Sequence, residues 1–224
     1  MKLPIHERFH TFQGEGVHMG RSAFFIRTFG CPLHCPWCDS AGTWHKDYVP
    51  EHVQRIEVDQ LVDEAVACKP SFVVVTGGEP TIHDLRSLTS GMHLAKLRVH
   101  LETSGAFPIQ GSFDWVTVSP KDNKAPLVEV LGCADEFKII VSTPGDIWKW
   151  VEACNNSNPN AYIWLHPEWS KRTDPIVLTA ISNAVKGHNT LRAGWQMHKL
   201  YRCDQLDYRT APLVPLGGNP ALGY

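Results

Sequence analysis

Along its 224 residues the chain alternates short apolar runs with amphipathic stretches. Runs rich in β-branched and aromatic residues, bounded by turn formers, read as strands. They occur at Ser22–Phe29, Phe72–Val75, Arg98–Leu101, Trp115–Val118, Glu136–Val141, Ala161–Leu165 and Leu191–Trp195. Glu57–Cys68 instead places Val58, Leu61, Val62, Ala65 and Val66 at helical spacing. Further helices are predicted at Ile82–Leu94, Ala125–Leu131, Asp146–Cys154 and Pro175–Lys186, with Pro175 suited to a first helical turn. Such β–α alternation predicts a parallel sheet joined by right-handed crossovers. The units are too few to close an eight-stranded barrel, so the expected α/β fold is a partial, open parallel β/α barrel of about six to seven strands.

Composition narrows the function. With 43% apolar residues the chain can bury a core without disulfide staples. Lys plus Arg number 21 against 23 Asp plus Glu, which excludes a polybasic arm and predicts no direct nucleic-acid partner. The first residues, MKLPIHERFHTF, hold no signal-like apolar run, and no stretch approaches transmembrane length. A cytoplasmic protein without a membrane partner is expected. No internal repeat or linker divides residues 1–204, read as one domain; residues 205–224, with Pro212, Pro215, Gly217, Gly218, Pro220 and Gly223, read as an extended tail.

The polar segments recur at one place in the pattern. A cysteine-rich loop follows the first predicted strand, Thr76–Pro80 the second and Glu102–Gly105 the third. Ser119-Pro120-Lys121, His166-Pro167 and Gln196–Lys199 follow later ones. In a parallel barrel these strand ends share a rim, where active sites are built; strands also commonly end in turn residues, so the clustering by itself names no chemistry. Seven cysteines make an even disulfide framework implausible. Three of them, Cys31, Cys35 and Cys38, form a C-x3-C-x2-C loop. Thiolates this close hold a soft metal centre: an iron–sulfur cluster with one open iron, or zinc completed by His34 or His45. The scattered cysteines and most tryptophans read as packing.

This loop, directly after the first strand of a βα series, resembles that of the radical S-adenosylmethionine (SAM) superfamily. The resemblance implies a 4Fe-4S cluster on Cys31, Cys35 and Cys38, whose open iron chelates SAM and splits it to a 5′-deoxyadenosyl radical. Trp37 stands where the superfamily often has an aromatic residue near the adenine, and Gly77-Gly78-Glu79-Pro80 looks like the motif that receives the methionine amino group. Glycines permit close backbone approach there, while carbonyls and Glu79 can accept from an ammonium.

Within the superfamily the closer likeness is to the 7-carboxy-7-deazaguanine synthase family, over about residues 5–204. Phe12-Gln13-Gly14-Glu15 resembles that family's substrate loop, with Glu15 able to accept two N–H bonds from a pterin edge. Arg27, in the apolar run Phe24–Phe29, needs an anionic partner, either a structural carboxylate or, as the resemblance implies, the substrate carboxylate. Cys38-Asp39-Ser40 resembles a segment whose hydroxyl residue binds Mg2+. By the same matching Thr76 is a substrate contact, and Cys38, Asp39, Gly78, Ser104, Ser119, Pro120 and Lys121 lie around the cofactor. The same matching makes His166 a further cofactor contact, at a place where the family often has Gln. His198 resembles the family's substrate-side histidine. Family chains often finish near this point with a carboxylate close to the pterin; this one continues, so Asp204 is the expected substitute. The implied reaction converts 6-carboxy-5,6,7,8-tetrahydropterin to 7-carboxy-7-deazaguanine with loss of ammonia, using SAM, the cluster, Mg2+ and a flavodoxin-like electron donor, in a homodimer. A radical SAM activase that places a glycyl radical on a partner protein, and a non-enzymatic zinc or iron–sulfur sensor, are the alternatives.

Overall fold

In the computed structural model, which describes residues 1–202 and 206–210, nine strands form one open sheet. They are β1 (Lys2–Phe12), β2 (Ser22–Thr28), β3 (Gln54–Glu57), β4 (Phe72–Gly77), β5 (Val99–Thr103), β6 (Trp115–Val118), β7 (Glu136–Val141), β8 (Tyr162–Pro167) and β9 (Leu191–Ala193). The order is β3-β1-β2-β4-β5-β6-β7-β8-β9. From β2 to β9 every pairing is parallel, which gives the seven strands read from the sequence; β1 and β3 add an antiparallel edge. The two edge strands, β3 and β9, do not pair, so the barrel stays open.

Helices α1 (Val58–Cys68), α2 (Arg86–Leu94), α3 (Val128–Gly132), α4 (Gly145–Ser157) and α5 (Pro175–Gly187) supply the crossovers, and α6 (Met197–Tyr201) follows β9. Pro175 begins α5 as its fixed φ suggests, and the Asp174 side chain caps it by accepting from Ile176 N–H at 2.9 Å. The helices cover one face of the sheet. There Phe24, Ile26, Val73, Val75, Leu101, Phe137, Ile139, Ile163 and Leu165 pack with Leu61, Leu88, Ile147 and Ile181. Each such fully buried side chain contributes roughly 1.5–3 kcal/mol relative to exposure. Among the described residues no helix is long and apolar enough to cross a membrane.

The period-2 alternation of each strand sends the other residues to the inner face. Near the strand starts that face is apolar and aromatic, with Phe9, Phe25, Phe72 and Val74 in one cluster and His100 stacked on Phe72. Towards the strand ends it becomes polar.

The strand β1 was not legible in the sequence. Its odd positions from Leu3 to Phe9 are buried without a break, yet they serve two faces. Ile5 pairs with Thr28 and Glu7 with Arg27, so His6 is an extra residue, a β-bulge. It puts Leu3 and Ile5 under the helices and turns Phe9 to the inner face. Glu7 is thereby delivered to Arg27.

Candidate active site

Residues from separate stretches of chain cannot be called a site until one surface joins them, and here a single cavity of about 410 Å³ at the carboxyl ends of the parallel strands does so for most of those singled out. That size suits a small-molecule pocket. Of the residues singled out in the sequence, its wall includes Phe12, Gln13, Gly14, Glu15, Arg27, Cys31, Cys35, Trp37, Cys38, Asp39, Ser40, Thr76, Gly77, Gly78, Glu79, Ser104, Ser119, Lys121 and His198.

Three expectations fare differently. His166 does not line the cavity: it is wholly buried, and both ring nitrogens lack a partner among the described residues. The reason is depth, because β8 continues through Pro167 and leaves His166 below the rim, where burial lowers its pKa to about 4. Pro120 is buried behind the wall, since the alternation that shows Ser119 and Lys121 to the cavity turns it away. Asp204 lies outside the described residues.

The cysteine loop leaves β2 and forms one wall. Cys31, Cys35 and Cys38 are free thiols that pack with Leu33, Trp37, Ala106 and Phe107. Burial pushes the Cys31 thiol up to about 11 and raises that of Cys35. Buried thiols of this kind become ligands when a metal centre supplies the positive charge that favours thiolate. No three His, Cys, Asp or Glu side chains among the described residues converge on a geometry for one ion. Three soft thiols lining one cavity are a donor set that fits an iron–sulfur cluster with one open iron. Trp44 Nε1 donates to Cys38 Sγ at 3.4 Å, and Ser40 Oγ lies 3.8 Å from the same sulfur.

Beside this loop the end of β4 comes very close. A Cβ on Gly78 would stand 2.3 Å from the Gly30 carbonyl oxygen and 2.7 Å from Cys31 Cβ, so only glycine fits. Glu79, 1% exposed, does not reach into the cavity as a free acceptor. Its Oε1 accepts from Thr81 N–H (3.2 Å), the Thr81 hydroxyl (2.8 Å) and the Thr103 hydroxyl (2.6 Å). Its Oε2 accepts from Ser104 N–H (2.8 Å) and the Ser104 hydroxyl (2.5 Å). Five donors fill a carboxylate that has about four lone-pair sites. Glu79 thus braces the loops after β4 and β5, and Ser104 spends its hydroxyl on that brace. An ammonium at this place would meet backbone carbonyls.

Across the cavity, Lys121 donates to the Ser119 carbonyl at 2.8 Å and to its hydroxyl, and lies 5.3 Å from the Trp37 ring centre. Burial lowers its pKa to about 8, partly offset by the nearby cysteines. Arg27 finds the anion its strand demanded in Glu7, whose Oε1 accepts from Nε at 2.7 Å. Asp39 pairs with Lys199 at 2.9 Å, tying α6 to the cysteine loop. Burial raises the Asp39 pKa, but Lys199 and Arg27 together hold it below the usual carboxylate range.

The loop between β1 and β2 makes the remaining wall. Gly14 accepts from Met197 N–H at 3.0 Å, and a Cβ on it would stand 2.3 Å from His198 Nδ1. Gln13 donates to Glu102 at 2.8 Å; Glu15 accepts from Gln196 at 2.7 Å and from Lys138. Glu7 and Lys138 are thus site residues that the sequence reading missed, and Glu102 and Gln196 lie in segments it placed on the rim without giving them a role. Lys138 carried a signal: like Arg27, it is a charge inside an apolar strand. Glu7 carried none, because the bulge hides its face.

A family model, the Radical SAM superfamily, matches residues 25–161. The chain is 44% identical over 200 residues to 7-carboxy-7-deazaguanine synthase from Synechocystis sp., covering 89% of this chain and 92% of that protein. The protein of the same name from Flavobacterium psychrophilum is 38% identical, with 88% and 90% covered. Among solved structures, QueE from Escherichia coli superposes with a TM-score of 0.76 at 31% identity, covering 88% of this chain and 95% of that one. With a three-cysteine loop, a glycine pair and a Gln-Gly-Glu loop meeting in one cavity of an open β/α barrel, and relatives that match along nearly their whole length, the chain belongs to the 7-carboxy-7-deazaguanine synthase family of the radical SAM superfamily.

Proposed function

We propose that this chain converts 6-carboxy-5,6,7,8-tetrahydropterin to 7-carboxy-7-deazaguanine with loss of ammonia in the cavity at the strand ends. Family membership makes it a radical SAM lyase of 7-deazapurine biosynthesis, with a 4Fe-4S cluster and SAM as cofactors. The observation that carries the residue assignments is the convergence of the cysteine loop, Gly77-Gly78 and the Gln13–Glu15 loop on one cavity.

When bound, the cluster and SAM supply a carbon radical able to take hydrogen from C6 of the pterin. The chain's own work is to hold and orient. Cys31, Cys35 and Cys38 would hold the cluster, and the backbone at Gly77-Gly78, brought against Thr28 and Gly30 beside the cysteine loop, would meet the methionine end of SAM. Trp37, Ser119 and Lys121 flank the nucleoside side. Gln13, Gly14 and Glu15 hold the pyrimidine edge of the pterin, with His198 packed beside Gly14 and Thr76 at the end of β4 in the same cavity wall. Arg27 gives Nε to Glu7, but a guanidinium has five N–H donors, which leaves capacity for the substrate carboxylate. Ser40 would place Mg2+ on that carboxylate, with waters completing the shell of a hard cation. Asp204 is assigned the second carboxylate near the substrate. Positioning of this kind, with water excluded, is what the protein contributes to cofactor chemistry. A flavodoxin-like donor, a homodimer and a cytoplasmic location complete the reading.

The test is anaerobic incubation with the pterin, SAM, Mg2+ and a reductant, with the product followed by mass. Product formed from the small pterin alone excludes a glycyl-radical activase. Cys35→Ala should abolish turnover; if it turns over normally, the cluster assignment is wrong.

A further inference from the structure

In the cavity wall lies a group of buried charges that no motif announces. Lys138 stands on the inner face of β7, its side chain 16% exposed, between the core residues Phe137 and Ile139. Its Nζ donates to Glu15 Oε2 and lies 3.7 Å from Glu102 Oε2. Glu102 accepts from Gln13, so Gln13 and Glu15 of the β1–β2 loop are both tied to this β5–β7 pair.

We infer that Lys138 is a positioning residue for the substrate: it holds the Glu15 carboxylate ionised and oriented as acceptor for the N–H edge of the pterin, without touching the pterin itself. The inference rests on the reading of Glu15 as the substrate's acceptor. A buried carboxylate tends towards its neutral acid, because burial disfavours the charged form. A neutral acid offers a donor on one oxygen and would meet two substrate N–H groups with too few acceptors. Burial does push Glu15 that way, and the Lys138 ammonium bonded to it, the largest opposing influence, more than reverses it. The surrounding groups come from every neighbouring element: Lys138 and Glu136 from β7, Glu102 from β5, His166 from β8 and His198 from α6. Glu136 is engaged by Val17 N–H and the Thr117 hydroxyl, and His166 is held neutral by burial. Lys138 is therefore the standing positive charge on Glu15. Gln196, a neutral donor to Oε1, is the contact that an incoming N–H group can replace.

The test is a double-mutant cycle with Lys138→Met and Glu15→Gln in the anaerobically reconstituted holoenzyme. Pterin KM and kcat, SAM affinity and iron content are measured for each protein. Lys138→Met is expected to raise pterin KM at least tenfold, the size of losing a hydrogen bond to a charged group, with iron content and SAM affinity unchanged. The double variant is expected to be no worse than Glu15→Gln alone, because Lys138 acts through Glu15. Unchanged KM in Lys138→Met, or fully additive losses, overturns the inference. Unchanged KM in Glu15→Gln overturns the reading of Glu15 itself, a separate outcome. Should Lys138→Met not fold, Lys138→Arg decides: retained charge should preserve KM to within a few-fold, and a Met-sized loss of affinity in the folded Arg variant overturns the inference.

Discussion

Glu79→Gln is the sharpest test of how the glycine-rich segment works. The wild-type carboxylate accepts five hydrogen bonds at 1% exposure, two of them from backbone N–H groups that cannot reverse. In the better orientation the new amide nitrogen replaces Oε2, facing Ser104 N–H donor to donor. Leaving that group unsatisfied costs about 1–3 kcal/mol. The three bonds on Oε1 also lose their charge assistance, and the loss totals on the order of 3–5 kcal/mol, as for other disrupted buried charges. At about 2–4 °C per kcal/mol for a chain of this size, the apoprotein Tm should fall by about 10 °C. Urea unfolding of the apoprotein and titration of SAM into the reconstituted protein separate the two roles of this residue. A Tm within about 2 °C of wild type, combined with a tenfold weaker SAM affinity, would refute the brace and restore Glu79 as the ammonium acceptor.

Three further outcomes follow from the geometry. Gly14→Ala drives a methyl to 2.3 Å from His198 Nδ1, so pterin KM should rise about tenfold or more while iron content stays constant, checked by steady-state kinetics and iron assay. Ser40→Ala should weaken the dependence of turnover on Mg2+ and leave the cluster absorbance intact; an unchanged Mg2+ titration removes Ser40 from that role. His100, 3% exposed and stacked on Phe72 at 4.0 Å, has its pKa lowered to about 3 by burial, with His18 and Arg98 adding to it. Below the unfolded value of 6.5 the unfolded chain takes a proton that the folded chain refuses. Stability is then complete above that value and falls with pH, by at most about 1.4 kcal/mol per unit. His100→Phe should flatten the decline of the urea midpoint between about pH 6.5 and 4.5; an equal slope would assign the decline to other groups.

Most of the seven parallel strands and the five crossover helices were legible because they bury a continuous or periodic apolar set, and burial writes itself into local pattern; β9 buries only Leu191. The cysteine loop and glycine pair were legible for another reason: their chemistry is carried by residue type at short spacing. β1, β3 and α6 were not, since β1 splits its buried side chains between two faces, β3 buries only Ile56 and α6 buries none. His166 and Pro120 were placed on the cavity by neighbourhood in sequence, and strand length and alternation put them behind it.

By itself, then, the sequence determined the parallel α/β scaffold, the three thiols and the loops that meet them, because hydrophobic period and ligand spacing are local properties. Tertiary structure alone decided which charges face one another. Glu7 reaches Arg27 through a one-residue bulge, Lys138 meets Glu15 across 123 positions of chain, and Glu79 is filled by donors from two neighbouring loops. Electrostatic partnership depends on distance in space and on exclusion of water, and no pattern along a chain encodes either until the sheet has folded.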